Sequence, residues 1–331
     1  MSDVVETTDL DALRQALRAA LREDERVFLM GEDAGAGGDR SAVSRGLLQE
    51  FGPERVRNTP LTGSALVGAG IGAAIRGLRP IVELTTVHHT LRGLDQLVDL
   101  AAGLLHLSGG QYAVPLVLRA TTGHGRRLPV QHRHSLEGWC AHVPGLRLAA
   151  PATLEDARGM LATALADPDP VLLVEHAGLY DLRGTLASEA GAVDIDHAVV
   201  RRPGDDVTLV TYGGMLGRAL EAADALAADG VSAEVVDLRT LRPIDELTVV
   251  ASVRRTHRAV VVDEGWRSGS LSAELAARIQ EQAFEDLEAP VARVCSAEVP
   301  VPYPHHLEAA ALPRATTIAD AARRAMAGRP A

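Results

Sequence analysis

The chain has 331 residues, and its hydrophobic share of 47% and charged share of 23% are typical of a globular protein large enough for two domains. A formal net charge of -11 at pH 7 argues against nucleic acid or an anionic membrane as a partner. The acidic start "MSDVVETTDL" lacks the apolar run of a signal peptide, and no stretch approaches the ~20 apolar residues of a membrane-spanning helix, so we expect a cytoplasmic protein.

The first part of the chain alternates between helical patterns and short apolar runs. Apolar or small residues at helical spacing predict helices at 9–22, 41–50, 64–76, 93–107 and 153–166. Short apolar runs predict strands at 26–33, 78–87, 114–123 and 170–178. These runs have the length expected of central strands in a parallel sheet.

Residues 181–205 are polar and weakly periodic, and the alternation then restarts. It predicts strands at 206–214, 232–238, 258–265 and 290–296 and helices at 215–229, 244–255, 268–283 and 316–327. The predicted fold class is therefore α/β, with two doubly wound domains and mainly parallel sheets. We place the first domain at 1–185, an interdomain linker at 186–205 and the second domain at 206–331.

Ligands of open α/β sheets gather beyond the carboxyl ends of the strands, so the segments that follow strands are the candidate sites. Glu32 and Asp33 stand at the end of the first predicted strand and are interpreted equally well as buried acids or as a solvated turn. The glycine-rich segment 31–38, which begins at that strand's end, lacks the lysine of a P-loop and favours an ordinary turn.

Five histidines also follow predicted strands: His88, His89, His124, His132 and His134. Ordinary loop histidines are the first interpretation, because the spacing matches no metal-ligand motif; a single general acid or base is the alternative. Cys140 and Cys295 give no disulfide or metal pattern. No self-sufficient catalytic set is found, which indicates that the missing parts lie on another chain or in a cofactor.

Long segments of the chain resemble the beta subunit of thiamine diphosphate-dependent 2-oxo acid dehydrogenases of the pyruvate and branched-chain type, in the transketolase-like superfamily. They follow in order over roughly 10–328 and include "GLLQEFGPERVRNTPL", "GAGIGAAIRGLRPIVE", "QHRHSLEGWCAHVPGLRLAAPATLEDARGML", "VVDLRTLRPID" and "VPVPYPHHLEAAALP". The resemblance implies a pyrimidine-binding domain followed by a transketolase C-terminal domain.

The resemblance also implies partners and cofactors. An alpha-type subunit would hold the diphosphate and its Mg²⁺ in an α2β2 heterotetramer, and this chain would line the aminopyrimidine pocket with Leu61, Gly63, Thr86 and His88. The assembly would decarboxylate a 2-oxo acid and pass the acyl unit to a lipoyl or acyl-carrier acceptor.

Two of these pocket positions depart from the family pattern. The family motif T-P-L-x-E ends in a glutamate that hydrogen-bonds the pyrimidine ring, whereas Gly63 stands in that register here. The family pair Gln-Phe, whose phenyl ring stacks on the pyrimidine, is replaced by Thr85-Thr86. We expect that Thr62, Ser64, Thr86 or His88 holds a water in the place of the glutamate, and that the reaction is altered, for example to carbon–carbon ligation; the alternative is a noncatalytic scaffold subunit.

Other family positions are retained. Glu32 matches the acid of the "GED" segment, and His132 matches the histidine linked to substrate or acyl transfer. The turn "ALADPDP" would offer potassium the carbonyl groups of Ala164 and Leu165 together with Asp167 and Asp169, although a plain helix C-terminus is nearly as good an interpretation. The glycines of the helix near 64–76 favour a close contact of some kind.

Overall fold

A computed structural model of the chain describes residues 4–34, 43–124 and 134–328. They form two compact units, and the chain passes from the first to the second between Ile195 and Asp196, inside the predicted linker 186–205. Described residues 123–124 and 134–138 group with the second unit, which the sequence pattern did not indicate. The domain boundaries at 185 and 206 stay predictions.

Eight strands belong to the first unit: β1 Val4–Thr8, β2 Val27–Glu32, β3 Val56–Thr59, β4 Arg79–Leu84, β5 Val117–Thr122, β6 Arg147–Ala149, β7 Val171–His176 and β8 Arg183–Ala187. Six of them lie in the order β6-β7-β5-β4-β2-β3, and every pair in that series is parallel. β1 and β8 pair as a separate antiparallel ribbon. All carboxyl ends of the six parallel strands therefore meet at one edge.

The helices that begin in this half of the chain are α1 Asp9–Glu23, α2 Leu47–Phe51, α3 Gly63–Ile75, α4 Leu104–Leu107, α5 Glu137–Ala141 and α6 Leu154–Ala166. Helices α1 and α6 begin at threonine caps, because the Thr8 and Thr153 hydroxyls accept the N–H groups of Asp11 and Asp156. Both helices pack apolar residues into the core of this unit, including Leu17.

Two helical predictions were too long. The pattern at 93–107 is divided among the end of a 3-10 turn at Val87–Gly93, a π-helical turn at Gln96–Ala101 and α4. Glycine is a poor helix former, and Gly93 and Gly103 interrupt the pattern. Within the described part of 41–50, the helix begins only at α2, because Gly46 precedes it with a left-handed φ of 85°.

The second unit contains β9 Val199–Arg202, β10 Val207–Thr211, β11 Ala233–Asp237, β12 Thr240–Arg242, β13 Ala259–Trp266 and β14 Ala292–Ser296. Its sheet has the order β14-β13-β10-β11-β9, parallel except for β9. Its helices are α7 Met215–Ala228, α8 Glu246–Thr256, α9 Leu271–Ala283, α10 His305–Ala311 and α11 Ala315–Met326. The predicted α/β class with mainly parallel sheets is confirmed. None of the described helices is long and apolar enough to cross a membrane.

A buried ion-pair cluster joins the three central strands of the first unit. Arg119 on β5 donates to both carboxylate oxygens of Glu175 on β7, at 2.7 and 2.8 Å, and to Glu83 on β4 at 3.4 Å. The Tyr180 hydroxyl donates to Glu175 at 3.0 Å. Burial raises the pKa of Glu83, although the charge of Arg119 opposes that shift. One guanidinium group thus forms ion pairs with two carboxylates inside the sheet.

Asp9, the first residue of α1, adds a further acid near this cluster. Its side chain is buried, and burial, followed by repulsion from Glu175, raises its pKa from 3.8 to about 8, against an attraction to His176. The folded state therefore favours the protonated carboxyl group of Asp9 at neutral pH.

We predict that Arg119→Met lowers the free energy of unfolding by about 3–5 kcal/mol, because it leaves two carboxylates buried without their cation. Urea unfolding followed by circular dichroism measures the change. Arg26→Met is the matched control, because its ion pair with Asp24 is solvent-exposed, and it should leave the urea midpoint nearly unchanged. Equal midpoints for the two variants would contradict the role assigned to Arg119.

We predict that Asp9→Asn changes the pH dependence of stability. Because the folded pKa of Asp9 lies above the unfolded value, its contribution is fully present below about pH 4 and is lost as the pH rises through about 8. Asparagine stays neutral, so the variant should gain stability relative to the parent at pH 9, by up to about 5 kcal/mol. Urea unfolding at pH 5, 7 and 9 tests this, and parallel curves for the two proteins would refute it.

Candidate functional site

Polar side chains line the carboxyl edge of the first unit's sheet. Glu32 ends β2, is half-buried, and accepts a hydrogen bond from the Thr85 hydroxyl at 3.2 Å. Asp33 follows in a left-handed conformation, and its N–H donates to the side chain of Asn58 at 2.8 Å. Glu32 is thus neither a fully buried acid nor part of a freely solvated turn.

The hydroxyl oxygen of Thr59 adds unused hydrogen-bonding capacity at the same edge. Thr59 ends β3, and its Oγ1 is buried with no hydrogen-bond partner among the described residues. A buried polar atom without a partner is costly, and water or a polar ligand commonly satisfies it. This edge therefore fits a polar ligand near Glu32 and Thr59.

Gly63, where the sequence analysis expected a pocket wall, is buried at the start of α3. A Cβ atom built on it would lie 2.7 Å from the Cβ of Arg92 and 3.2 Å from the carbonyl oxygen of His89. Both neighbours belong to the 3-10 turn Val87–Gly93. A side chain at position 63 would therefore require the turn Val87–Gly93 to shift.

The other residues predicted to contact the pyrimidine differ in how deeply they are buried. Thr86 is 2% exposed and Val87 is 1% exposed, so neither side chain offers a stacking surface. His88 is half-buried, whereas Leu61 is 40% exposed. The structure thus places these residues on neighbouring segments without forming an aromatic platform.

The hydroxyl groups proposed to hold a water near Gly63 already have contacts. Ser64 lies 3.3 Å from both carboxylate oxygens of Asp95, and the Thr62 hydroxyl donates to the Pro60 carbonyl group at 3.4 Å. Thr86 is buried, as described above. These contacts do not favour Thr62 or Ser64 as holders of a water in the place of the family glutamate, and that water stays a prediction.

His132 lies outside the described residues. His124 belongs to the second unit, where its backbone N–H and its Nδ1 lie 3.1 and 3.0 Å from Oε1 of Glu264. The ring of His134 packs on Trp266, with 4.9 Å between ring centroids. The sequence analysis treats segments that follow strands as candidate sites, but nothing in the spacing indicates that His124 lies near Glu264 or His134 near Trp266.

The end of β13 also carries a buried carboxylate. Asp263 accepts hydrogen bonds from the Tyr212 hydroxyl at 2.8 Å and from the N–H groups of Gly265 and Ser272 at 2.7 and 3.0 Å. Burial, followed by the charge of Asp263, raises the pKa of Tyr212 well above its usual value. Burial likewise raises the pKa of the Cys295 thiol, which disfavours it as a nucleophile.

The predicted potassium turn follows α6. The Asp167 carboxylate pairs with Arg147 at 2.5 Å, and the Asp167 carbonyl oxygen accepts a hydrogen bond from Arg79 at 3.2 Å. Two guanidinium groups therefore already supply positive charge at this turn. The carbonyl groups of Ala164 and Leu165 and the Asp169 carboxylate remain as candidate ligands, and the potassium site stays a prediction.

Comparisons with known proteins cover both units. The family described as transketolase, pyrimidine binding domain matches residues 7–182, and the family described as transketolase, C-terminal domain matches residues 196–318. A solved structure described as a split gene transketolase, inactive beta4 tetramer, has a TM-score of 0.79 and 22% identity, covering 97% of this chain and 98% of that one. At that identity the likeness shows the fold alone.

Curated relatives are more similar in sequence. Pyruvate dehydrogenase E1 component subunit beta-2, mitochondrial, of Oryza sativa subsp. japonica is 41% identical over 97% of this chain and 86% of its own length. Subunit beta-1 of Arabidopsis thaliana is 42% identical, over 97% and 89%. The subunit beta of Rhizobium meliloti (strain 1021) is 39% identical, over 97% and 70%. The chain belongs to the family of pyruvate dehydrogenase E1 component beta subunits, with a transketolase pyrimidine-binding domain followed by a transketolase C-terminal domain.

Proposed function

We propose that this chain is the beta-type subunit of an α2β2 heterotetramer that acts on a 2-oxo acid with thiamine diphosphate. The proposal rests on one observation, the similarity to E1 beta subunits over 97% of the chain. The alpha-type partner would hold the diphosphate and Mg²⁺, in keeping with a sequence that has no P-loop lysine in its glycine-rich segment. The assembly would decarboxylate the 2-oxo acid and transfer the acyl or aldehyde unit to a lipoyl or acyl-carrier acceptor.

The residues of the pyrimidine side do not fit the family's use of this cofactor. Position 63 offers no acid and no space for one, and Thr86 offers no ring. We therefore assign no proton-abstraction step to this chain. Loss of a positioned acid–base group typically slows a reaction 10²–10⁴-fold, so a catalytic role calls for altered chemistry, such as carbon–carbon ligation.

The retained groups define what the chain would still contribute. Glu32, oriented by Thr85, and the hydroxyl group of Thr59 present hydrogen-bonding atoms at the carboxyl edge. His132 is proposed to contact the substrate or the acyl unit, by resemblance alone. The cytoplasmic location expected from the sequence also stays a prediction, since several relatives are named mitochondrial.

A noncatalytic scaffold subunit is the second candidate function, and the packing at Gly63 favours it. A chain that fills the place of the family glutamate with its own turn retains the fold needed to pair with an alpha-type partner. It would then stabilise or regulate that partner without taking part in the chemistry.

We predict that the chain co-purifies with its alpha-type partner and that calorimetric titration with thiamine diphosphate and Mg²⁺ separates the two candidates. Saturable binding together with single-turnover decarboxylation of a 2-oxo acid supports the catalytic role. Stable assembly without cofactor binding supports the scaffold role. A chain that forms no complex with an alpha-type subunit would contradict both.

A further inference from the structure

Two glycines that are distant in sequence face each other beside the pyrimidine-side residues. Gly63 begins α3, and Gly93 ends the 3-10 turn Val87–Gly93. A Cβ atom on Gly93 would lie 3.2 Å from the Gly63 carbonyl oxygen and 3.0 Å from Cγ2 of Val67. Each glycine thus lies against the other's segment, and we call this pair of positions the glycine contact.

The atoms that block position 63 cannot move aside easily. They are the Cβ and the backbone carbon of Arg92, at 2.7 and 3.3 Å, and the backbone oxygen of His89 at 3.2 Å. None is the end of a flexible side chain, so a side chain at position 63 requires the whole turn to shift. Val87, the first residue of the turn, and Thr86, which precedes it, are almost fully buried and hold the turn against the unit.

Other glycines of α3 differ from Gly63 in this respect. A Cβ atom on Gly70 would meet the side chains of Val82 and Met30 in the sheet and of Leu116, which precedes β5, at 2.8–3.3 Å. A Cβ atom on Gly72 would meet no atom within 4 Å. Only some glycines of the helix are therefore needed for close packing within this unit, and Gly72 supplies an internal control.

We infer that, at the glycine contact, the turn Val87–Gly93 occupies the place that the side chain of the family glutamate would take. Position 63 then contributes no side-chain group to a bound ligand. This inference rests on the proposed function for the identity of the ligand, but its packing part does not. It makes Arg92 and His89 the residues that determine whether position 63 can hold a side chain. A single Gly63→Glu substitution therefore cannot restore the family's arrangement.

Urea unfolding of the full chain tests the packing part with four variants. We expect Gly63→Ala to lower the urea midpoint clearly, whereas Gly72→Ala leaves it unchanged or raises it. Arg92→Gly removes the atom closest to the added methyl group, so Gly63→Ala combined with Arg92→Gly should lose less than the sum of the two single changes. Additive losses, or a Gly63→Ala midpoint equal to that of Gly72→Ala, would overturn the inference.

The heterotetramer with the alpha-type partner tests the functional part. We expect Gly63→Glu to leave single-turnover decarboxylation within twofold of the parent, or to lower it, while reducing the urea midpoint of the isolated chain. A gain of more than twofold in the single-turnover rate would show that position 63 is open and would overturn the inference. Failure of the parent chain to assemble would count against the proposed function alone, because the unfolding measurements need no partner.

Discussion

The first unit depends on one guanidinium group buried between three parallel strands. Arg119 bonds to Glu175 and Glu83, and so ties β5 to the strands on both of its sides. Parallel strands buried on both faces tolerate charge only when it is compensated in place, which fixes the relative alignment of these strands. Glu32 and Thr59 lie at the carboxyl edge of the same sheet, because β2 pairs with β4 and β3 pairs with β2.

The carboxyl edge combines retained and altered features of its family. Glu32 keeps a hydrogen-bonded environment suited to a polar ligand, whereas the start of α3 packs closely against the turn Val87–Gly93. Loss of the glutamate by itself would leave a space that a solvent molecule or another side chain could fill. In this chain the neighbouring turn fills it, so the change at position 63 belongs to the fold as much as to the site.

The sequence predicted the central strands well for a physical reason. β2, β4, β5 and β7 are buried and appear as short apolar runs, whereas β1, β3, β8 and β9 are short and partly exposed, and their alternation is too weak to be recognised. The absence of an acid at Gly63 was also visible in the sequence. The neighbours of Gly63 in the turn were not visible in the sequence, because the contact with Arg92 joins segments that only the folded chain brings together. The sequence pattern also predicted a continuous helix from Gly93 onward.

The buried carboxyl group of Asp9 links folding to the surrounding buffer. With a folded pKa of about 8 and an ordinary value of 3.8, this group is ionised in the unfolded chain at pH 7 and mostly protonated in the folded one. Each chain that folds at neutral pH therefore takes up most of one proton from solution through this residue. The heat released on folding then includes the ionisation enthalpy of the buffer, so calorimetric enthalpies for this protein are comparable only between buffers of the same ionisation enthalpy.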